Sequence, residues 1–135
     1  MSSRPAAADR AAWLSLQLGF WIPLLLCTWL ALTPSPPEGV FRVSDILLHL
    51  FAFTYLTFAL GLARPALRLR WVAAWMLAFG VMIEVVQSFQ ATRVAELKDV
   101  LVDAAGIALG LLLLAALGNW SRKTVRTVWG MLLPG

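Results

Sequence analysis

The residues able to do chemistry in this chain crowd into one stretch, 79–110, which reads FGVMIEVVQSFQATRVAELKDVLVDAAGIALG. It carries Glu84 and Gln87 within one apolar run, then a short charged turn with Arg93, Glu96 and Lys98. Asp99 and Asp103 follow at the head of a second apolar run. Upstream, Asp45 and His49 stand four residues apart at the start of another apolar segment. Holding a charge in hydrocarbon costs roughly 2.5–3.5 kcal/mol even on the mildest scale. Polar groups kept at one depth of so apolar a chain therefore point to a site.

Each group offers a specific chemistry and a plainer alternative. Asp45 and His49 share a helix face and can touch. The carboxylate would raise the proton affinity of the imidazole, tuning a base or proton relay, or a local hydrogen bond would merely fix the helix end. Glu84 suits a protonatable group, a ligand contact or the counter-ion of Arg93. Gln87 can hold a polar headgroup or bridge two helices. Arg93 has the planar fork that reads phosphate or carboxylate, unless a salt bridge to Glu84 or Asp99 uses it. Asp99 suits a helix start as cap and dipole partner, while Glu96 and Lys98 read as solvated loop charges. Asp103 lies a turn deeper on the same face as Asp99, so these carboxylates repel Glu84 unless Arg93 and Lys98 neutralise them or one takes up a proton.

The elements that must position these residues are transmembrane helices. Of 135 residues, 61% are hydrophobic and 13% charged, against about 45–50% and 25% in soluble domains. Apolar runs at 13–32, 46–62, 71–89 and 99–117 predict an all-α, four-helix transmembrane bundle. Residues 1–12 read as a cytoplasmic tail, 13–117 as the bundle, and 118–135 as a basic, amphipathic helix lying on the membrane surface. The first run is too long and too rich in Trp for a cleaved leader. Pro23 within it needs a neighbour to satisfy the carbonyl it frees. Gly80, Glu84 and Gln87 fall on one stripe of the third helix. Gly106 and Gly110 form a small-xxx-small pair on the fourth, a face for close helix contact and for a homodimer.

Basic residues gather at the N-terminus, at Arg64, Arg68 and Arg70, and in the tail. The positive-inside rule then puts both termini in the cytoplasm and the polar cluster at the outer face. The formal charge of +4 suits anionic lipid better than nucleic acid, for which there is no aromatic-studded basic groove. Cys27 is the single cysteine, so no internal disulfide exists. One histidine rules out a standard zinc site, although a mixed His, Asp and Glu site is chemically possible. No Gly-rich phosphate loop or other cofactor motif is present, and no metal or cofactor is expected.

In combination these pieces resemble the VanZ-like family of small bacterial membrane proteins, named for a glycopeptide-resistance accessory protein. The resemblance covers roughly residues 44–110. It rests on Asp45-x-x-x-His49, Ile83-Glu84-x-x-Gln87, Arg93 with Asp99 six positions on, and Asp103-x-x-Gly106 followed by Gly110. The chain departs from the family pattern at Ile46, where Lys is common, at Lys98, where Ser is common, and at Asp103, which replaces a characteristic Asn. The resemblance implies an integral protein of the bacterial inner membrane, with some members tied to resistance to teicoplanin-type antibiotics.

Three functions compete. The first is an envelope accessory protein binding a polar or anionic lipid headgroup, or a glycopeptide-related ligand, through Gln87, Arg93 and Asp99. The second is an enzyme acting on a lipid-linked envelope substrate. Its base would be His49 backed by Asp45, its acid Glu84 or Asp103, and its phosphate clamp Arg93. The third is a small proton-coupled transporter with Glu84 as carrier.

Overall fold

The computed structural model describes residues 6–33, 45–90 and 97–133. Four α-helices make up the fold: α1 (Ala6–Leu32), α2 (Asp45–Ala63), α3 (Leu69–Gln87) and α4 (Leu97–Leu132). All four are long and apolar enough to cross a membrane. The protein is a multi-pass membrane bundle, as the apolar runs predict. Its surface suits hydrocarbon rather than water: Trp13, Leu25, Phe51, Trp75 and Leu112 all face outward, each more than half exposed.

The core is a narrow seam. Phe20, Phe53, Leu56, Val72, Met76 and Ile107 pack from the four helices into one buried cluster. The most extensive helix pairing is between α2 and α4, and glycine makes it possible. A Cβ at Gly106 would lie 2.8 Å from the backbone oxygen of Leu50, and one at Gly110 would lie 2.6 Å from that of Thr54. Both glycines are buried against α2 of their own chain. The small-residue pair thus serves the close helix contact expected of it, between α2 and α4 of one chain.

Pro23 lies inside α1 and cannot donate to the carbonyl of Gly19, four residues earlier. The Tyr55 hydroxyl of α2 donates to that oxygen instead, at 2.6 Å. This is the neighbour the sequence requires. Long polar side chains likewise tie up helix ends, whose last carbonyls have no partner within the helix. Gln17 Nε2 donates to Ala63 O (2.7 Å) and Arg122 Nη1 to Gly61 O (3.2 Å) at the end of α2.

Two helices run further than expected. α1 starts at Ala6 rather than at position 13, with Ala8 and Ala12 buried. α4 spans 36 residues, so the 118–135 segment begins as its continuation and not as a separate helix. At 1.5 Å per residue α4 is about 54 Å long, well beyond the ~30 Å of hydrocarbon. The two extensions support each other: Arg126 pairs with Asp9 at 3.0 Å, and Trp129 Nε1 donates to Ser15 Oγ at 2.8 Å. Arg122, Val125 and Trp129 turn inward at helical spacing while the residues between them are exposed.

Candidate functional site

The polar residues gather at the end of the bundle where α1 and α3 finish and α2 and α4 begin. His49 lies in the second turn of α2, Glu84 in the last turn of α3, and Asp103 nearly two turns into α4. Ridges from three helices thus converge at one depth, and side-chain ligand atoms of His49, Glu84 and Asp103 all lie within 4.8 Å of one another. Asp103 is 1% exposed and Glu84 6%. His49 keeps 16% of its side chain accessible and forms the edge through which the cluster meets its surroundings.

The tightest contact is between α2 and α4. His49 Nδ1–H donates to Asp103 Oδ1 at 2.8 Å. A carboxylate on one ring nitrogen fixes the tautomer and the ring plane. The other Asp103 oxygen sits against Gly80 of α3, where a Cβ would come within 2.7 Å of it. Below the cluster, the Phe53 ring stacks with His49, at 6.5 Å between centroids and 14° between planes, and contacts Phe79. An aromatic floor therefore separates the polar cluster from the core seam.

Other expected site residues take different places. Asp99 is buried on α4, one turn from Asp103 on the same face. It is the third residue of the helix rather than its first, so it serves the first-turn dipole rather than the cap position. Gln87 bridges helices: its amide Nε2 donates to Ala31 O of α1 at 2.9 Å. Lys98 is exposed at the start of α4. Arg93 and Glu96 lie outside the described residues, as does the side chain of Asp45, which opens α2. The contacts expected of these residues lie there too.

Two participants were not singled out by sequence reasoning. Gln90 Nε2 donates to Leu32 O at 2.9 Å and works with Gln87 to secure the end of α1. Its spacing of three from Gln87 was the available signal. Phe53 offered none, because a buried phenylalanine in an apolar helix looks like any other core residue. A cavity of about 600 Å³ opens between α1, α2 and α3. Phe20, Leu24, Trp75, Met76 and Phe79 line it, and Arg64 lies at one end.

The comparisons agree with this architecture. The family model described as VanZ/LLP1 matches residues 20–118, which include every residue of the cluster, and the chain belongs to that family. No curated protein and no solved structure matches the chain.

Proposed function

We propose that this member of the VanZ/LLP1 family is a cell-envelope accessory protein of the bacterial cytoplasmic membrane. It binds a polar or anionic lipid headgroup, or a glycopeptide-related ligand, at the outer face, and contributes in that way to glycopeptide resistance. The observation that carries this reading is the convergence of His49, Glu84 and Asp103 from three helices at one end of an otherwise apolar bundle. Such groups are costly within a membrane and mark ligand or ion pathways by default. The basic residues Arg64, Arg68, Arg70 and Arg122 belong to the opposite end, which supports a cytoplasmic location there and an outward-facing cluster. The apolar cavity beside Phe79 adds room for an acyl chain.

The test is native mass spectrometry of the detergent-purified protein beside Arg93→Ala and His49→Ala. A discrete polyprenyl-phosphate or similar adduct, retained by wild type and lost in the variants, is the expected result. Identical nonspecific lipid profiles would refute it and leave the cluster a role in assembly.

A second reading rests on one contact. His49 held at 2.8 Å by Asp103 has the base-and-orienter geometry of an acid–base catalyst. With Glu84 as the acid, water or a substrate hydroxyl would be activated against a lipid-linked phosphate. Loss of turnover in His49→Ala with lipid retention intact would favour this enzyme; turnover unaffected by His49→Ala would remove it.

A further inference from the structure

The headgroup reading contains a tension: the cluster that would receive an anionic group is itself built around two carboxylates. We propose that His49, Glu84 and Asp103 hold a divalent transition-metal cation, Zn²⁺ or Mn²⁺, whose open coordination positions take the phosphate oxygens of the headgroup. This rests on the headgroup reading for its second half, whereas the cation site stands on geometry alone.

The donors are one imidazole nitrogen and two carboxylates, each from a different helix and each within 4.8 Å of the others. A cation at ~2.0–2.2 Å from each donor asks for donor separations of about 3–4 Å. Binding through His49 Nδ1 would displace the proton it shares with Asp103 Oδ1, 2.8 Å away, and open that pair slightly around the ion. Glu84 has the longest and most adjustable stem of the three, so its rotation supplies the remaining approach. Two carboxylate donors offset the charge of a divalent ion, as a buried ion requires. The imidazole selects against Ca²⁺ and Mg²⁺, which prefer oxygen shells, and toward first-row transition ions.

The surroundings hold the donors from behind. Asp103 is 1% exposed and its second oxygen fills the space left by the missing side chain of Gly80. The His49 ring lies on Phe53, itself buried. Support of this kind orients first ligands and excludes water behind them. The accessible edge of His49 leaves one way in. Three protein ligands are the number that catalytic and ligand-binding metal sites use while keeping a position open. A phosphate oxygen in that position would be bound by the ion rather than repelled by Glu84 and Asp103. The sequence allows a mixed His, Asp and Glu site without singling out these three; the fold brings the partners of His49 from 35 and 54 positions away.

The experiment uses untagged protein in detergent, stripped with chelator and dialysed against Zn²⁺ or Mn²⁺ alone, with bound metal counted by plasma mass spectrometry. One equivalent per chain is expected, with affinity weakened at least about tenfold in Glu84→Gln and Asp103→Asn. Helical circular dichroism and gel filtration check that each variant is folded. Electron spin-echo spectroscopy of the Mn²⁺-loaded wild type gives a readout that needs no variant: nitrogen coupling from one imidazole is expected. Absence of stoichiometric uptake, absence of that coupling, or unchanged affinity in folded variants would overturn the cation site. Polyprenyl-phosphate retention is then compared in stripped and loaded protein. Retention that rises with the metal supports bridging. Retention that ignores the metal overturns bridging but leaves the headgroup reading intact, and metal uptake with no lipid in either form refutes the headgroup reading while the ion site survives.

Discussion

Replacing Gly80 by Ala adds one methyl group to α3 and tests the site without altering its charge. A Cβ there would lie 2.7 Å from Asp103 Oδ2 and 3.2 Å from two ring carbons of Phe53, whereas ordinary contact begins at 3.4 Å. Phe53 is wedged in the core, so the carboxylate must retreat, by about 0.7 Å. The same carboxylate holds His49 Nδ1 at 2.8 Å, and a retreat of this size takes that contact to the limit of hydrogen bonding. Losing a hydrogen bond to a carboxylate costs roughly 1.5–3 kcal/mol, while Ala in place of a helical Gly returns about 1 kcal/mol. The net expectation is a destabilisation of about 0.5–2 kcal/mol, read as a shift in denaturant unfolding in detergent micelles. In an Asp103→Ala background the methyl group meets no carboxylate, and the substitution should be neutral or stabilising. The coupling in this double-mutant cycle is expected to reach at least about 1 kcal/mol. Equal tolerance of Gly80→Ala in both backgrounds would mean that Asp103 does not rest against α3, and the converged site would fall with it.

Other expectations follow from single contacts. Tyr55→Phe removes the donor to Gly19 O and should cost about 1 kcal/mol, but very little in Pro23→Ala, where the backbone N–H returns to serve that carbonyl. Gly110→Ala puts a carbon 2.6 Å from Thr54 O and should destabilise by about 1–3 kcal/mol as α2 is pushed away. Gly130→Ala, with nothing within 4 Å of the new carbon, should be neutral or stabilising in the same unfolding assay. Gln87→Ala and Gln90→Ala release Ala31 O and Leu32 O, and hydrogen exchange in the last turn of α1 should accelerate in each. Arg126→Ala breaks an exposed ion pair with Asp9 and should cost less than about 1 kcal/mol, falling further as salt is raised.

The architecture was legible because its determinants are local. Twenty apolar residues spell a span wherever they occur, and Pro23 announces a carbonyl in need of a donor without saying that Tyr55 supplies it. The site was legible as a list and not as a set of pairs. Asp45 stands four residues from His49 and offered the nearer partner, yet the described contact is with Asp103, 54 residues away. Nothing in the spacing ranks a carboxylate on another helix against one on the same helix. Helix ends were hidden for a related reason. Gly118 and Asn119 look like a terminus, but a helical glycine costs only about 1 kcal/mol. The contacts of Arg122 with Gly61 and of Trp129 with Ser15 reward continuation. The glycine pair was ambiguous in principle, since a face smooth enough for a second chain is equally smooth for α2.

The polar side chains of the bundle divide by where their atoms go. Gln17, Tyr55, Gln87, Gln90 and Arg122 each send a donor to a backbone carbonyl on another helix. In a solvent that offers no hydrogen bonds this is reason enough for them to be there. His49 and Asp103 instead bond to each other, and Glu84 comes to within 4.8 Å of both. Stability does not ask for that arrangement, because apolar side chains of similar volume would pack at least as well as buried ionisable groups. Elsewhere among the described residues, polar side chains serve backbone carbonyls of a neighbouring helix or pair along the extended ends of α1 and α4, as Arg126 does with Asp9 and Trp129 with Ser15. The proposed cation would give His49, Glu84 and Asp103 a reason to converge from three helices.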